Sequence, residues 1–215
     1  PRLPKQWKRL KFRLQFLHRQ LLVDIEKEKV SYTLEKGEEI SIYHESQETS
    51  LPPKRKIERS LFPEIKVVII EAGLLTEARE FIQECRATGI QSVLVSDKGD
   101  IDNLVREERA EDLFLHLAGP ETIKRGPPDP EIFLNAADAL SVYYKHCIGI
   151  NSSQSGIEAL KESGMFSVAI IEDETKNGFA EADWVLKSCE NLKLDSLREE
   201  FDRFSRTYVY GISPP

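Results

Sequence analysis

Two hydrophobic periods divide this chain. Up to about residue 59, apolar residues recur at every second position. Leu10, Phe12, Leu14 and Phe16 alternate with Lys11, Arg13 and Gln15, and Leu21, Val23 and Ile25 alternate with Leu22, Asp24 and Glu26. Val30, Tyr32 and Leu34 follow, then a turn at Gly37, then Ile40, Ile42 and His44. A period of two places alternate side chains on opposite faces, so this stretch predicts half-buried antiparallel strands with one wet face. Four or five strands without a helix do not enclose a core, and one apolar face is expected to rest on something else.

Beyond residue 60 continuous apolar runs appear at 66–70, 92–95, 113–117, 147–150 and 167–171, with helix-period stretches between them at 76–88, 101–109, 130–140 and 153–163. Continuous strands imply that both faces of the sheet are covered. The expected fold is therefore α/β, a Rossmann-like parallel sheet preceded by an antiparallel β-sheet segment. The expected division is 1–59 and 60–215. The stiff, charged stretch Pro52-Pro53-Lys54-Arg55-Lys56 reads as a linker, with the second domain opening near Pro63. Sites in such sheets lie at the carboxyl ends of the strands, which points to residues 70–73, 96–98, 124–128 and 151–155.

Charge supports the same boundary. Residues 1–59 carry 14 Lys+Arg against 9 Asp+Glu, and the remainder 16 against 28. The basic residues of the first half alternate with apolar ones as on a solvated sheet face, which argues against nucleic-acid binding. Trp7 and Tyr32 read as packing aromatics, and His18 and His44 as isolated histidines. Three scattered cysteines, Cys85, Cys147 and Cys189, lack metal-ligand spacing and suggest a reducing cytoplasm. No apolar run approaches the roughly 20 residues of a membrane span. A chain opening at Pro1 reads as a piece of a longer polypeptide, and self-association is left open.

Two resemblances sharpen these expectations. The spaced residues Leu3-Pro4, Trp7, Leu10, Phe12, Leu14-Gln15-Phe16, Leu21, Val23, Ile25, Val30, Tyr32, Leu34, Gly37, Ile40 and Ile42 resemble the C-terminal β-sandwich of family-65 glycoside phosphorylases. That likeness implies a partner: the helical catalytic barrel of the parent enzyme, which is not among these residues. The second stretch resembles the haloacid-dehalogenase (HAD) superfamily in its β-phosphoglucomutase-like branch. Its members begin with a strand ending in Asp-x-Asp-Gly-Val-Leu. Aligning on Gly73-Leu74-Leu75 places Ile70 at the nucleophile and Ala72 at the acid/base. Val93-Leu94-Val95-Ser96 matches the second motif. In Lys124-Arg125-Gly126-Pro127-Pro128-Asp129-Pro130-Glu131-Ile132-Phe133-Leu134, the family's phosphate-clamping Lys is Pro127. In Cys147-Ile148-Gly149-Ile150-Asn151-Ser152-Ser153-Gln154-Ser155-Gly156-Ile157-Glu158-Ala159, the acidic pair that holds Mg²⁺ falls on Asn151 and Ser152. Leu75 runs almost directly into the next helical stretch, leaving no room for a cap.

These departures remove the chemistry that the resemblance implies. Ile70 has no lone pair with which to attack phosphorus, and Ala72 offers no proton transfer. Asn151 and Ser152 supply neutral oxygens where Mg²⁺ prefers carboxylates, and Pro127 brings neither charge nor N–H. The expectation is a pseudo-HAD domain without cofactor, in a structural or docking role at the end of a family-65-type enzyme. Ser96, Ser152 and Ser153 remain as a relic phosphate-binding set, assisted by Lys124 and Arg125. The alternative is an active HAD phosphatase or β-phosphoglucomutase with rearranged residues and Mg²⁺, for which Glu71, Asp97, Glu172 and Asp173 are the carboxylates near the strand ends.

Overall fold

The computed structural model describes residues 8–26, 28–44, 47–60, 63–171, 179 and 181–210. The chain divides into two compact units, one built on the N-terminal strands and one spanning Glu64–Phe204.

In the first unit β1 (Arg9–Phe16), β2 (Arg19–Glu26) and β3 (Lys29–Lys36) form an antiparallel meander, and β4 (Ile40–His44) pairs with β5 (Gln47–Leu51) in a separate hairpin. The fourth strand of the larger sheet is β6 (Lys56–Ser60), antiparallel to β3, giving the order β1-β2-β3-β6. The supposed linker therefore departs from the sequence expectation. Pro53 bridges Leu34, the Lys54 amide donates to the Leu34 carbonyl at 2.7 Å, and Ile57 pairs with Tyr32. A lone apolar residue between Lys56 and Glu58 is too short a period to announce a strand. Leu21, Val23, Ile25, Val30 and Leu34 are buried together with Leu51 of the hairpin, so the second small sheet supplies part of the cover. The far end of β1 keeps Leu14 and Phe16 exposed, and Leu17 beyond it is 80% exposed.

The outer face is a lattice of ion pairs. Arg9 donates through Nε to Asp24 at 2.6 Å, Lys11 lies 3.8 Å from the same carboxylate, and Arg13 meets Glu35 at 2.7 Å. The Arg9 guanidinium holds the Asp24 carboxyl below its ordinary range. These positive groups are already matched by carboxylates, which fits a solvated sheet face.

The second unit is a six-stranded parallel sheet in the order β12-β11-β10-β7-β8-β9. Its strands are β7 (Val67–Glu71), β8 (Gln91–Val95), β9 (His116–Ala118), β10 (Cys147–Asn151), β11 (Phe166–Ile170) and β12 (Trp184–Leu186). The helices are α1 (Arg79–Ala87), α2 (Ile101–Glu107), α3 (Glu131–Ala139), α4 (Gln154–Ser163) and α5 (Leu194–Tyr210), the last belonging to this unit as far as Phe204. Residues from α1, α2 and α5 share one core with Val68, Ile70, Leu94, Ile148 and Ile150. Those from α3 and α4 share another with Val67, Ile69, Val93 and Cys147. Both sheet faces are thus covered, which is why the strands read as continuous apolar runs.

Two elements differ from the expectation. Residues 113–117 were expected to be a strand, yet a 3₁₀ turn covers Glu111–Leu113 and the strand is only His116–Ala118, an edge with Leu115 61% exposed. The expected helix over 76–88 begins at Arg79, after a 3₁₀ turn over Ala72–Leu74 and four further turn residues.

Candidate functional site

The chain leaves β7 toward β8 and β9 on one side and returns to β10 on the other, so the topological switch point lies between the tips of β7 and β10. Ligands of open α/β sheets gather at such a point. Residues 70–72 and 151–153 meet there.

Ile70 is fully buried, one of a row with Val68, Leu94, Ile148 and Ile150. It extends the hydrocarbon core to within one residue of the strand tip. Glu71, the next residue, turns its carboxylate across to the β10–α4 loop. Its Oε2 accepts from the Ser152 amide at 2.7 Å and from the Ser152 hydroxyl at 2.8 Å. Ala72 opens the 3₁₀ turn and packs against the apolar core.

Asn151 is buried, and its Oδ1 accepts from the Ser153 amide and from the Ser153 hydroxyl, both at 2.8 Å. The Ser153 oxygen in turn accepts from the Gly156 amide at 3.1 Å, which caps α4. A Cβ on Gly156 would collide with the Asn151 side chain, so the glycine makes room for that amide. At the other end of α4, Gly164 takes φ +73°, a left-handed cap.

The other motif residues are occupied locally. Ser96 Oγ donates to the Lys98 carbonyl and accepts from the Lys98 amide at 3.3 Å, a turn within its own loop. The amides of Lys124 and Arg125 both donate to Glu131 Oε2 at 2.9 Å, and these bonds lower the Glu131 pKa. The Arg125 guanidinium pairs with Asp129 at 2.9 Å. Pro127 precedes Pro128 through a cis peptide in the same loop. Asp97 lies 4.0 Å from the Lys98 ammonium, while Glu172 and Asp173 lie outside the described residues, as does Trp7.

Divalent-ion chemistry needs several hard oxygens converging from separate elements. The described residues at the switch point do not fit Mg²⁺: Ile70 and Ala72 are hydrocarbon, Asn151 Oδ1 is held by Ser153, and Glu71 Oε2 by Ser152. Among the described residues, no group of three or more His, Cys, Asp or Glu side chains is placed to hold a metal ion. Thiol nucleophiles fare no better. Burial pushes the Cys85 and Cys147 thiols up to about 12, leaving them protonated at neutral pH.

Comparisons with known proteins bear on the fold of both units. Residues 1–51 match the glycosyl hydrolase family 65, C-terminal domain. Over 131 residues the chain is 30% identical to β-phosphoglucomutase of Bacillus subtilis (strain 168), covering 61% of this chain and 57% of that one. The crystal structure of β-phosphoglucomutase from Clostridium difficile superimposes with a TM-score of 0.56 at 26% identity, over 60% of this chain and 56% of that chain. The second unit has a β-phosphoglucomutase-like HAD fold. The chain spans little more than half the length of these two relatives. CbbY from Rhodobacter sphaeroides, at 23% identity and a TM-score of 0.51, repeats the fold.

Within the HAD-like unit, the sequence did not show that three residues meet in one cluster. Asp183, just ahead of β12, accepts through Oδ2 from the Ser167 amide at 2.9 Å and hydroxyl at 2.8 Å, and through Oδ1 from Lys161 at 2.6 Å. Ser167 is fully buried, so this cluster pins the short edge strand. Its three members come from separate elements, and no local spacing reveals their meeting. Glu71 was visible as a carboxylate at a strand end; its partner Ser152, 81 residues away, was not.

Proposed function

We propose that the HAD-like unit is non-catalytic and serves as a structural or docking domain at the end of a family-65-type glycoside phosphorylase or hydrolase, working without a cofactor in the cytoplasm. The observation that carries this reading is the state of the switch point. Buried Ile70 stands where the nucleophile belongs, and the neighbouring Glu71 carboxylate sits on Ser152. Aspartyl-phosphate chemistry needs a carboxylate nucleophile and a divalent ion acting together, and loss of both is not made good by the remainder. The test is turnover of p-nitrophenyl phosphate and of β-glucose 1-phosphate by the whole chain with magnesium. The expected rate equals that of buffer, and steady turnover that follows the protein through purification rules the proposal out.

The rival reading, a phosphatase or β-phosphoglucomutase with rearranged residues, is favoured by the 30% identity to the B. subtilis enzyme. The same assay decides between the two. The partner implied by the first unit is the catalytic part of a family-65 enzyme, received on the uncovered stripe of Leu14, Phe16 and Leu17. Hydrogen exchange along β1 should then be slower when a family-65 catalytic domain precedes these residues in one polypeptide. Equal rates would remove that partner. No helix among the described residues is long and apolar enough to cross a membrane.

A further inference from the structure

The tips of two neighbouring strands are joined at the switch point by the chain's own carboxylate. Where a divalent ion occupies such a point, it draws oxygens from separate strands together, and metal binding is coupled to local order. The donors here do not fit an ion, so something else must hold the loop that leads into α4. We propose that Glu71 is an internal cross-brace that sets the geometry of the β7 and β10 tips without magnesium. The proposal builds on the non-catalytic reading of the HAD-like unit.

Three features support the brace. A single oxygen of Glu71 receives both the amide and the hydroxyl of Ser152, so the loop is gripped at backbone and side chain at once. Hydrogen bonds to an ionised acceptor are roughly twice as strong as neutral ones. The loop is held from its other side as well, because Asn151 Oδ1 takes the amide and hydroxyl of Ser153. With Glu71 on one side and Asn151 on the other, both amides at the head of α4 are satisfied before the helix begins. Lastly, the neutral residues at 70, 72 and 151 suit the brace. A carboxylate at any of them would stand close to Glu71 without an ion between, and like charges so placed resist ionising together. The substitutions that remove a metal site are thus the ones that let an unaccompanied glutamate work as a strut.

The experiment compares amide hydrogen exchange at Ser152 and Ser153 in the full chain, in Glu71→Ala and in Glu71→Gln, each with and without magnesium chloride. The Ala variant should speed exchange at Ser152 about tenfold or more, the effect of losing one charge-assisted hydrogen bond. The Gln variant should do so by less, because its amide oxygen still accepts, and the unaltered chain should ignore magnesium. Glu71 is half-buried and its bonds to Ser152 are exposed, so the variants are expected to stay folded, and the near-isosteric Gln guards against a folding artefact. Ser152 exchange unchanged in Glu71→Ala, or slowed by magnesium in the unaltered chain, overturns the brace. The readout is independent of turnover. A chain that hydrolyses a phosphate ester yet shows Glu71-dependent protection sinks the proposed function and leaves the brace standing; an inert chain with magnesium-dependent protection does the reverse.

Discussion

A carboxylate at position 70 should strongly destabilise the HAD-like unit. Ile70→Asp places a carboxylate at a position with no solvent exposure, among Val68, Leu94, Ile148 and Ile150. Losing the buried isoleucine costs about 1.5–3 kcal/mol. Desolvation raises a fully buried carboxyl by about 3–5 pKa units. At about pH 7.5 that is worth about 4–5 kcal/mol, the upper bound being the cost of simply protonating the group, at 1.36 kcal/mol per unit. The sum, about 6–8 kcal/mol, compares with a total stability of about 5–15 kcal/mol for a domain. The sign of the pH dependence follows. A carboxyl whose folded pKa lies above its unfolded value favours the folded state more as pH falls, so about 3 kcal/mol should return between about pH 7.5 and pH 5. Urea unfolding followed by circular dichroism, relative to the unaltered chain at each pH, reads both numbers. Ile70→Asn supplies the control, burying a neutral polar group of the same shape without the pH slope. If Ile70→Asp unfolds within about 1 kcal/mol of the unaltered chain at about pH 7.5, the side chain does not lie in the core and the argument fails.

Further outcomes follow from particular contacts. Ser92 buries a hydroxyl with no hydrogen-bond partner among the described residues, and an unsatisfied buried group costs about 1–3 kcal/mol, so Ser92→Ala should raise the urea midpoint; a lower midpoint would mean the hydroxyl is bonded. Asp183→Ala strands the buried Ser167 amide and hydroxyl together with Lys161, and should cost about 3 kcal/mol in chemical denaturation, with Asp183→Asn milder. In the first unit, Arg9, Arg13 and Lys56 depress the carboxyls of Asp24, Glu35 and Glu58 respectively. A lowered folded pKa gives stability that is present above the unfolded value and lost as pH falls through the folded one. The strands should therefore resist unfolding evenly at neutral pH and weaken below the ordinary carboxylate range. Asp24→Asn should flatten that acid limb, and an acid limb identical to that of the unaltered chain would remove Asp24 from the account.

The fold was legible where a single period repeats for long enough. Val67 to Glu71, Gln91 to Val95 and Cys147 to Asn151 lie within a residue of the expected strands because both of their faces are apolar. The edges were less legible. In β6 one apolar residue, Ile57, lies among charges, and the residues that give the strand its place are the backbone groups of β3. The closing helix α5 was not among the expected helices, although Leu194, Leu197 and Phe201 are buried at helical spacing and Phe204 packs beside them. The residue types at the site were visible, since Ile70 and Ala72 declare their chemistry by themselves. How the strand tips are tied together was not visible. Glu71 and Ser152 are joined only by the parallel pairing of β7 with β10, a relation between distant segments that no local pattern encodes.

The scaffold depends on residues other than those at the strand tips. Gly149 faces Leu160 so closely that a Cβ there would collide with the side chain, and Gly156 leaves the same kind of room for Asn151. These glycines are fixed by how α4 lies against β10, whatever happens at the strand tips. Likewise Ser153 caps α4 whether or not an anion is present. On the proposed reading, an acid at a strand tip would carry no such duty. A carboxylate at a strand tip contributes nothing to packing and, without an ion, repels its neighbours. Ile70 at this tip instead adds buried hydrocarbon to the core. Glu71 fits the same logic, because a single carboxylate with hydrogen-bond donors at hand is stable where a cluster is not. A parallel sheet of this kind can therefore keep its helices, caps and glycines in register while its switch point changes from a place that holds ligands into one that holds the fold.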